Sequence, residues 1–219
     1  QKFMNLMNME TVHVAWDFLK ENGLKALILK SKHKIQGIDD DYDYAEWWNL
    51  TKPSEEELEE QTKKKFGYMP KFSIVIPVYK TPEKFLKEML DSIVEQTYAN
   101  WELCIADGSP AGESVENVLK KYAEKDARIR YQVLGENRGI SGNTNAALEM
   151  AEGDFIVLAD HDDRLTPNAL FECAKKLNEN ENCDVLYSDE DKLDMDGDEL
   201  FDPHFKPDFN PDLLTSVNY

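Results

Sequence analysis

A chain of 219 residues with 41% hydrophobic content is long enough for one sizeable α/β domain plus an appendage. Its formal charge of −19, from 25 Lys and Arg against 44 Asp and Glu, argues against a nucleic-acid partner, because binding a phosphate backbone draws on Lys and Arg. No run approaches the roughly 18 apolar residues of a membrane span, no signal-peptide core opens the chain, and Gln1 in place of Met reads as the start of an excised fragment. Cys104, Cys173 and Cys183 are odd in number and lack CxxC spacing, which indicates neither a disulfide framework nor a zinc site and fits a reducing, cytoplasmic setting.

The first 38 residues stand apart. Lys2, Lys20, Lys25, Lys30, Lys32 and Lys34 face only Glu10, Asp17 and Glu21, a net charge of +3 in an otherwise acidic protein. Val12, Trp16, Leu19, Leu24, Leu27 and Ile28 recur at near-helical spacing, which predicts an amphipathic basic helix interrupted at Gly23. Such a helix suits either peripheral contact with an anionic membrane surface or packing on its own domain or a partner. Residues 39–60 turn acidic around Trp47 and Trp48 and read as a linker. Ser54 with Glu57 makes a capping box, and Glu59/Lys63 and Glu60/Lys64 are i,i+4 pairs of a solvated helix. Residues 1–69 are thus a helical appendage with a linker, and 70–219 a separate domain.

From Lys71 strands and helices alternate. Strands are expected at 72–78, 101–106, 129–134, 155–159 and 185–187. Helices are expected after Thr81 as N-cap with Pro82 in the first position, at 115–123, at 141–150, and after Thr166 and Pro167. Repeated βα alternation predicts a mostly parallel sheet with helices on both faces, whose ligands bind beyond the carboxyl ends of the strands. Four features fall on that edge: Pro77, Val78 and Tyr79; Asp107; Asn137 and Arg138; and the cluster Asp160, His161, Asp162 and Asp163 after the apolar run FIVLA. Clustered carboxylates suit a hard divalent cation shared with a phosphate ligand, although in so acidic a chain such a triplet also arises as solvated surface. His161 is read as space-filling. The tail from Ser188 carries a hairpin signal at Asp196-Gly197; an EF-hand is rejected there, since Lys192 and Pro203 would occupy ligand positions one and twelve.

The segments at 73–110 (SIVIPVYKTPEKFLKEMLDSIVEQTYANWELCIADGSP), 136–148 (ENRGISGNTNAAL) and 157–163 (VLADHDD) resemble family 2 glycosyltransferases of the GT-A fold. YSDEDKLD at 187–194 and PHFKPDFNPDLL at 203–214 are similar to the branch that builds bacterial O-antigens and rhamnose-rich surface glycans. The resemblance implies an inverting, metal-dependent transfer from a nucleotide-sugar donor to a growing cell-surface polysaccharide or lipid-linked glycan, with Mg²⁺ or Mn²⁺ as cofactor. It places Pro77, Val78 and Tyr79 along the nucleotide, Asp107 on the base, Arg138 near the donor, and Asp160 and Asp162 as the DxD pair on ribose and metal, with Asp163 as an alternative ligand. Tyr79 also fits ordinary packing, Asp107 an Asx turn or helix cap, and Arg138 a surface charge. Where many members carry two acids after the second strand, this chain has Ala106, Asp107 and Gly108, which leaves the base open. The general base is expected beyond Tyr219, with Asp189 and Asp191 as weak candidates within the chain. A non-catalytic nucleotide-sugar-binding or assembly module is the alternative. A sugar nucleotidylyltransferase is disfavoured, because no glycine-rich loop follows the first strand.

Overall fold

The computed structural model describes Lys20, residues 44–195, Gly197 and residues 199–216. The basic segment around Val12 to Ile28 lies outside the described residues apart from Lys20. The chain divides into two compact units, Ser54–Val185 and a second formed by residues 1–53 with 186–219.

In the first unit, Ser54 caps helix α2 (Glu55–Lys63; α1 belongs to the second unit) through the expected capping box, each partner satisfying one backbone N–H of the other. The alternation then unfolds as β1 (Phe72–Val78), α3 (Glu83–Val94), β2 (Trp101–Asp107), α4 (Glu116–Ala123), β3 (Ile129–Val133), α5 (Gly139–Leu148), β4 (Phe155–Leu158) and α6 (Ala169–Glu179). The four strands form one parallel sheet in the order β3-β2-β1-β4.

Strand side chains alternate between two faces. Ile74, Ile76, Val78, Leu103 and Ile105 pack with Leu86, Met89, Leu90 and Ile93 of α3, Val118 and Leu119 of α4, and Leu170, Ala174 and Leu177 of α6. On the other face Val75 and Ala106 meet Ala146 and Ala147 of α5, whose small side chains let that helix lie close. Helices therefore cover both faces, as the alternation predicts.

Three local expectations differ from what is seen. Pro82, not Thr81, occupies the N-cap of α3 and makes no side-chain cap; the Thr81 hydroxyl is buried without a protein partner. The apolar run 155–159 reads as a buried strand, yet β4 is an edge strand whose Ile156 and Leu158 are 43% and 73% exposed. Its ladder to β1 ends at Val75↔Leu158, two residues short of Pro77, which has no N–H to give a neighbour. Residues 185–187 form no strand, and Val185 and Tyr187 stand exposed.

The second unit contains α1 (Tyr44–Thr51), an antiparallel hairpin of β5 (Glu190–Leu193) and β6 (Leu200–His204), and α7 (Pro211–Leu214). The hairpin turns where the Asp-Gly signal lies, with Gly197 at φ 83°, which a side chain would disfavour. Trp47 stacks on Tyr44, and both meet the edge of Phe205.

Candidate functional site

Parallel pairing puts the carboxyl ends of β1, β2, β3 and β4 on one edge of the sheet, so the segments that follow them share that edge. Direct contacts join the first three. Gly108 N–H donates to Val78 O at 2.9 Å, and Lys80 N–H donates to the Ser109 hydroxyl at 2.8 Å, tying the loop after β1 to the loop after β2. Leu134 N–H, just past the end of β3, donates to Asp107 O at 2.8 Å, and Asn143 of α5 reaches back to the Asn137–Arg138 turn. The 160–163 segment takes its place from β4, which pairs directly with β1.

Each residue singled out by sequence has a definite environment there. Val78 is fully buried in the core and Pro77 is partly buried, whereas Tyr79 is 40% exposed with the Lys80 ammonium 5.6 Å from its ring centroid. Asp107 is fully buried and both its oxygens are engaged: one accepts from Ser109 N–H at 2.8 Å, the other from the Ser114 hydroxyl at 2.6 Å and Val115 N–H at 3.2 Å. The carboxylate thereby shapes the loop between β2 and α4, a role that Ser109 and Ser114 complete and that the sequence alone does not single out. Arg138 is exposed, paired with Glu136 at 3.2 Å, and its backbone is held by Asn143.

Asp160, Asp162 and Asp163 are exposed on a turn in which Asp163 N–H approaches Asp160 O at 3.4 Å. His161 is half-buried, its Nδ1 3.4 Å from an Asp162 oxygen and without a hydrogen bond. Among the described residues no group of three His, Cys, Asp or Glu side chains converges into a metal cage. Exposed hard oxygens on one short turn instead suit an open site, where a cation keeps most positions for water and substrate phosphate. The donor set fits Mg²⁺ or Mn²⁺ in that sense.

Lys80 has φ 50°, a left-handed backbone that costs a side-chain-bearing residue about 1 kcal/mol or more. Its ion pair with Glu113, 2.9 Å long, has both partners well exposed and contributes little. Lys80→Asn is expected to gain about 0.5 kcal/mol, raising the melting temperature by about 1–2 °C in a thermal scan; a fall would show that the Lys80–Glu113 pair holds the loop.

Asp189 and Asp191 lie in the second unit. Asp189 accepts from Lys206 N–H at 2.7 Å, and Asp191 accepts from the Tyr44 hydroxyl. Between them Glu190 is held below its ordinary range by hydrogen bonds from His204 and Lys206, which makes it a weak base. A groove of about 460 Å³ lined by Gly67, Tyr68, Phe155, Leu177, Asn178 and Cys183 opens at the amino end of β4, away from the carboxyl edge.

This parallel sheet with an acidic turn at its carboxyl edge has the architecture of a GT-A glycosyltransferase domain. The chain belongs to the Glycosyl transferase family 2, whose model matches residues 73–212. It is 42% identical over 150 residues to the uncharacterized protein y4gI of Sinorhizobium fredii, covering 68% of this chain and 16% of that protein. It is 33% identical over 177 residues to the O-antigen biosynthesis protein RfbC of Myxococcus xanthus, covering 81% of this chain and 14% of that one. The chain thus spans only a small part of either relative. Among solved structures it is similar to the mannosyltransferase PcManGT of Pyrobaculum calidifontis in complex with GDP-Man and Mn²⁺, at 25% identity and a TM-score of 0.45, over 55% of this chain and 37% of that one. No helix among the described residues is long and apolar enough to cross a membrane.

Proposed function

We propose that the carboxyl edge of this sheet binds a nucleotide-sugar donor for an inverting transfer to a glycan or lipid-linked acceptor in cell-surface polysaccharide synthesis. The observation that carries the reading is the exposed acidic turn Asp160–Asp163 beside the joined loops of Tyr79, Asp107 and Arg138, in a chain of this family. Likeness to an O-antigen biosynthesis protein supports the class of product.

In this reading Tyr79 offers its exposed ring to the nucleotide, beside Pro77 and the backbone of Val78. Asp107 sets the wall at the base by fixing the loop to Ser114, and meets the base itself only where Ser109 and Ser114 release it. Arg138 brings positive charge to the donor's diphosphate. Asp160 faces the ribose side, and Asp160, Asp162 and Asp163 would hold Mg²⁺ or Mn²⁺, which supplies neutralisation of the charge that develops on the leaving diphosphate. Asp189 and Asp191 remain candidates for acceptor contact or for taking the acceptor's proton. The nucleotide-binding function is assigned to the part of the 70–219 segment that lies in the Ser54–Val185 unit, and the basic first 38 residues are assigned to peripheral contact with the cytoplasmic membrane face.

Calorimetric titration of UDP, GDP and dTDP into the chain, with and without Mn²⁺, tests the reading. At least one should bind at least about tenfold more tightly with the metal, equivalent to about 1.4 kcal/mol. Binding of none would favour a non-catalytic assembly module.

A further inference from the structure

One buried side chain joins the loop after β2 to the turn before α5. Asn143 stands in the second turn of α5 and is 2% exposed. Asparagine is a poor interior residue for a helix because its amide competes for backbone hydrogen bonds. Here the amide serves the neighbouring turn: Oδ1 accepts from Arg138 N–H at 3.1 Å, and Nδ2 donates to Asn137 Oδ1 at 3.2 Å. Asn137 Oδ1 also accepts from Gly139 N–H at 2.9 Å.

Two glycines make room for this arrangement. A methyl group on Gly108, the residue after Asp107, would lie 2.5 to 2.9 Å from the Asn143 amide. A methyl group on Gly142 would lie 2.5 Å from the Cβ of Arg138. Asn143 is therefore wedged against the Asp107 loop, while it and Gly142 fix the backbone N–H and the root of the Arg138 side chain. The ion pair that the Arg138 side chain makes with Glu136 has partners 48% and 70% exposed and is too solvated to orient it.

We propose that Gly142 and Asn143 are positioning residues that aim Arg138 at the donor edge. The proposal rests on the reading of that edge as a nucleotide site. Asn143 reaches no ligand itself; it acts through Arg138.

The test compares Arg138→Ala, Asn143→Ala, Gly142→Ala and the double variant Arg138→Ala/Asn143→Ala in the full chain. The readouts are the Kd of UDP, GDP and dTDP with Mn²⁺ by calorimetry, the melting temperature, and amide hydrogen exchange at Arg138 and Gly139. Arg138→Ala and Asn143→Ala should each weaken binding about tenfold, the scale of one charge-assisted hydrogen bond. The double variant should bind no more weakly than Arg138→Ala, and the Arg138 amide should exchange faster once Asn143 is gone. Multiplied losses in the double variant would overturn the proposal, since they would mean that Asn143 acts independently of Arg138. If Asn143→Ala does not fold, Asn143→Asp keeps the acceptor for Arg138 N–H but sets two oxygens against each other at Asn137. It should then still weaken binding, and unchanged affinity in both Asn143→Asp and Gly142→Ala would overturn the idea. Wild-type chain that binds none of the three nucleotides would defeat the donor-site reading and the positioning role with it, whereas wild-type binding beside unchanged variants defeats the positioning role alone.

Discussion

Glu102→Gln is expected to lower the folding stability of the Ser54–Val185 unit by about 2–3 kcal/mol at neutral pH, and its melting temperature by about 5–10 °C. Glu102 is 4% exposed on the α5 side of the sheet. It accepts from the Ser73 hydroxyl at 2.6 Å and from Glu152 N–H, and pairs with Lys71 and Arg130 at 2.7 Å each. Burial by itself would raise its pKa, but the hydrogen bonds from Lys71, Ser73 and Glu152 and the charge of Arg130 bring it from 4.5 down to about 2. A shift of that size corresponds to about 3 kcal/mol, trimmed because Lys71 and Arg130 are each about one-third exposed. The sign follows from the depressed value: the contribution is complete above the unfolded pKa near 4.5 and is lost as pH falls toward 2. Denaturant titrations of both proteins between pH 7 and pH 3 check this. The two stability curves should converge as the pH drops; parallel curves would mean that the charge on Glu102 does not hold the network.

Asp162→Ala should abolish the metal-dependent part of nucleotide binding, a loss on the order of 100-fold, or about 2.7 kcal/mol. A chelator should bring the wild-type chain down to the affinity of the variant, and Asp160→Ala should behave alike, because a cation on an open turn has few protein ligands to spare. Asp162 is exposed on its loop, so the melting temperature should change little. That contrast separates the two variants: Glu102 carries stability and no ligand, Asp162 a ligand and little stability. An affinity that is insensitive to both Asp162→Ala and the chelator would mean that no cation on this turn contributes to binding.

The sheet was legible in the sequence because its signal is local. Apolar periodicity marks 72–78 and 101–106 as strands, and Pro82, Ser54 and Glu57 mark helix starts to within about a residue. What escaped depends on neighbours distant in the chain. Leu158 is as apolar as Ile76, but one faces solvent at a sheet edge and the other is fully buried, a difference set by strand order alone. Residues 185–187 have strand composition and no ladder among the described residues to complete them. Glu102 lies in WELCIAD with no local partner; the groups that offset its burial, Lys71 just before β1 and Arg130 of β3, come from distant parts of the chain.

The candidate site divides the same way. Asp107 is conspicuous in sequence as a carboxylate at a strand exit, read there as a base contact with an Asx turn or helix cap as the alternative. The serines and backbone N–H groups that engage it come from two to eight residues downstream, and their convergence is a matter of loop geometry. Asn143 gave one weak signal, an asparagine inside a helix, which gains meaning only with Arg138 and Gly108 around it.

In the proposed site a cation on the Asp160–Asp163 turn joins a nucleoside diphosphate to the carboxyl edge of the sheet. A crystal structure of the chain with Mn²⁺ and whichever of UDP, GDP or dTDP binds, phased to show anomalous scattering from manganese, addresses it most directly. One strong peak is expected about 2.1 Å from an oxygen of Asp160 or Asp162 and from the diphosphate, with the base against Tyr79 and the Asp107 loop. Nucleotide bound elsewhere, or bound at this edge with manganese away from these carboxylates, would contradict it.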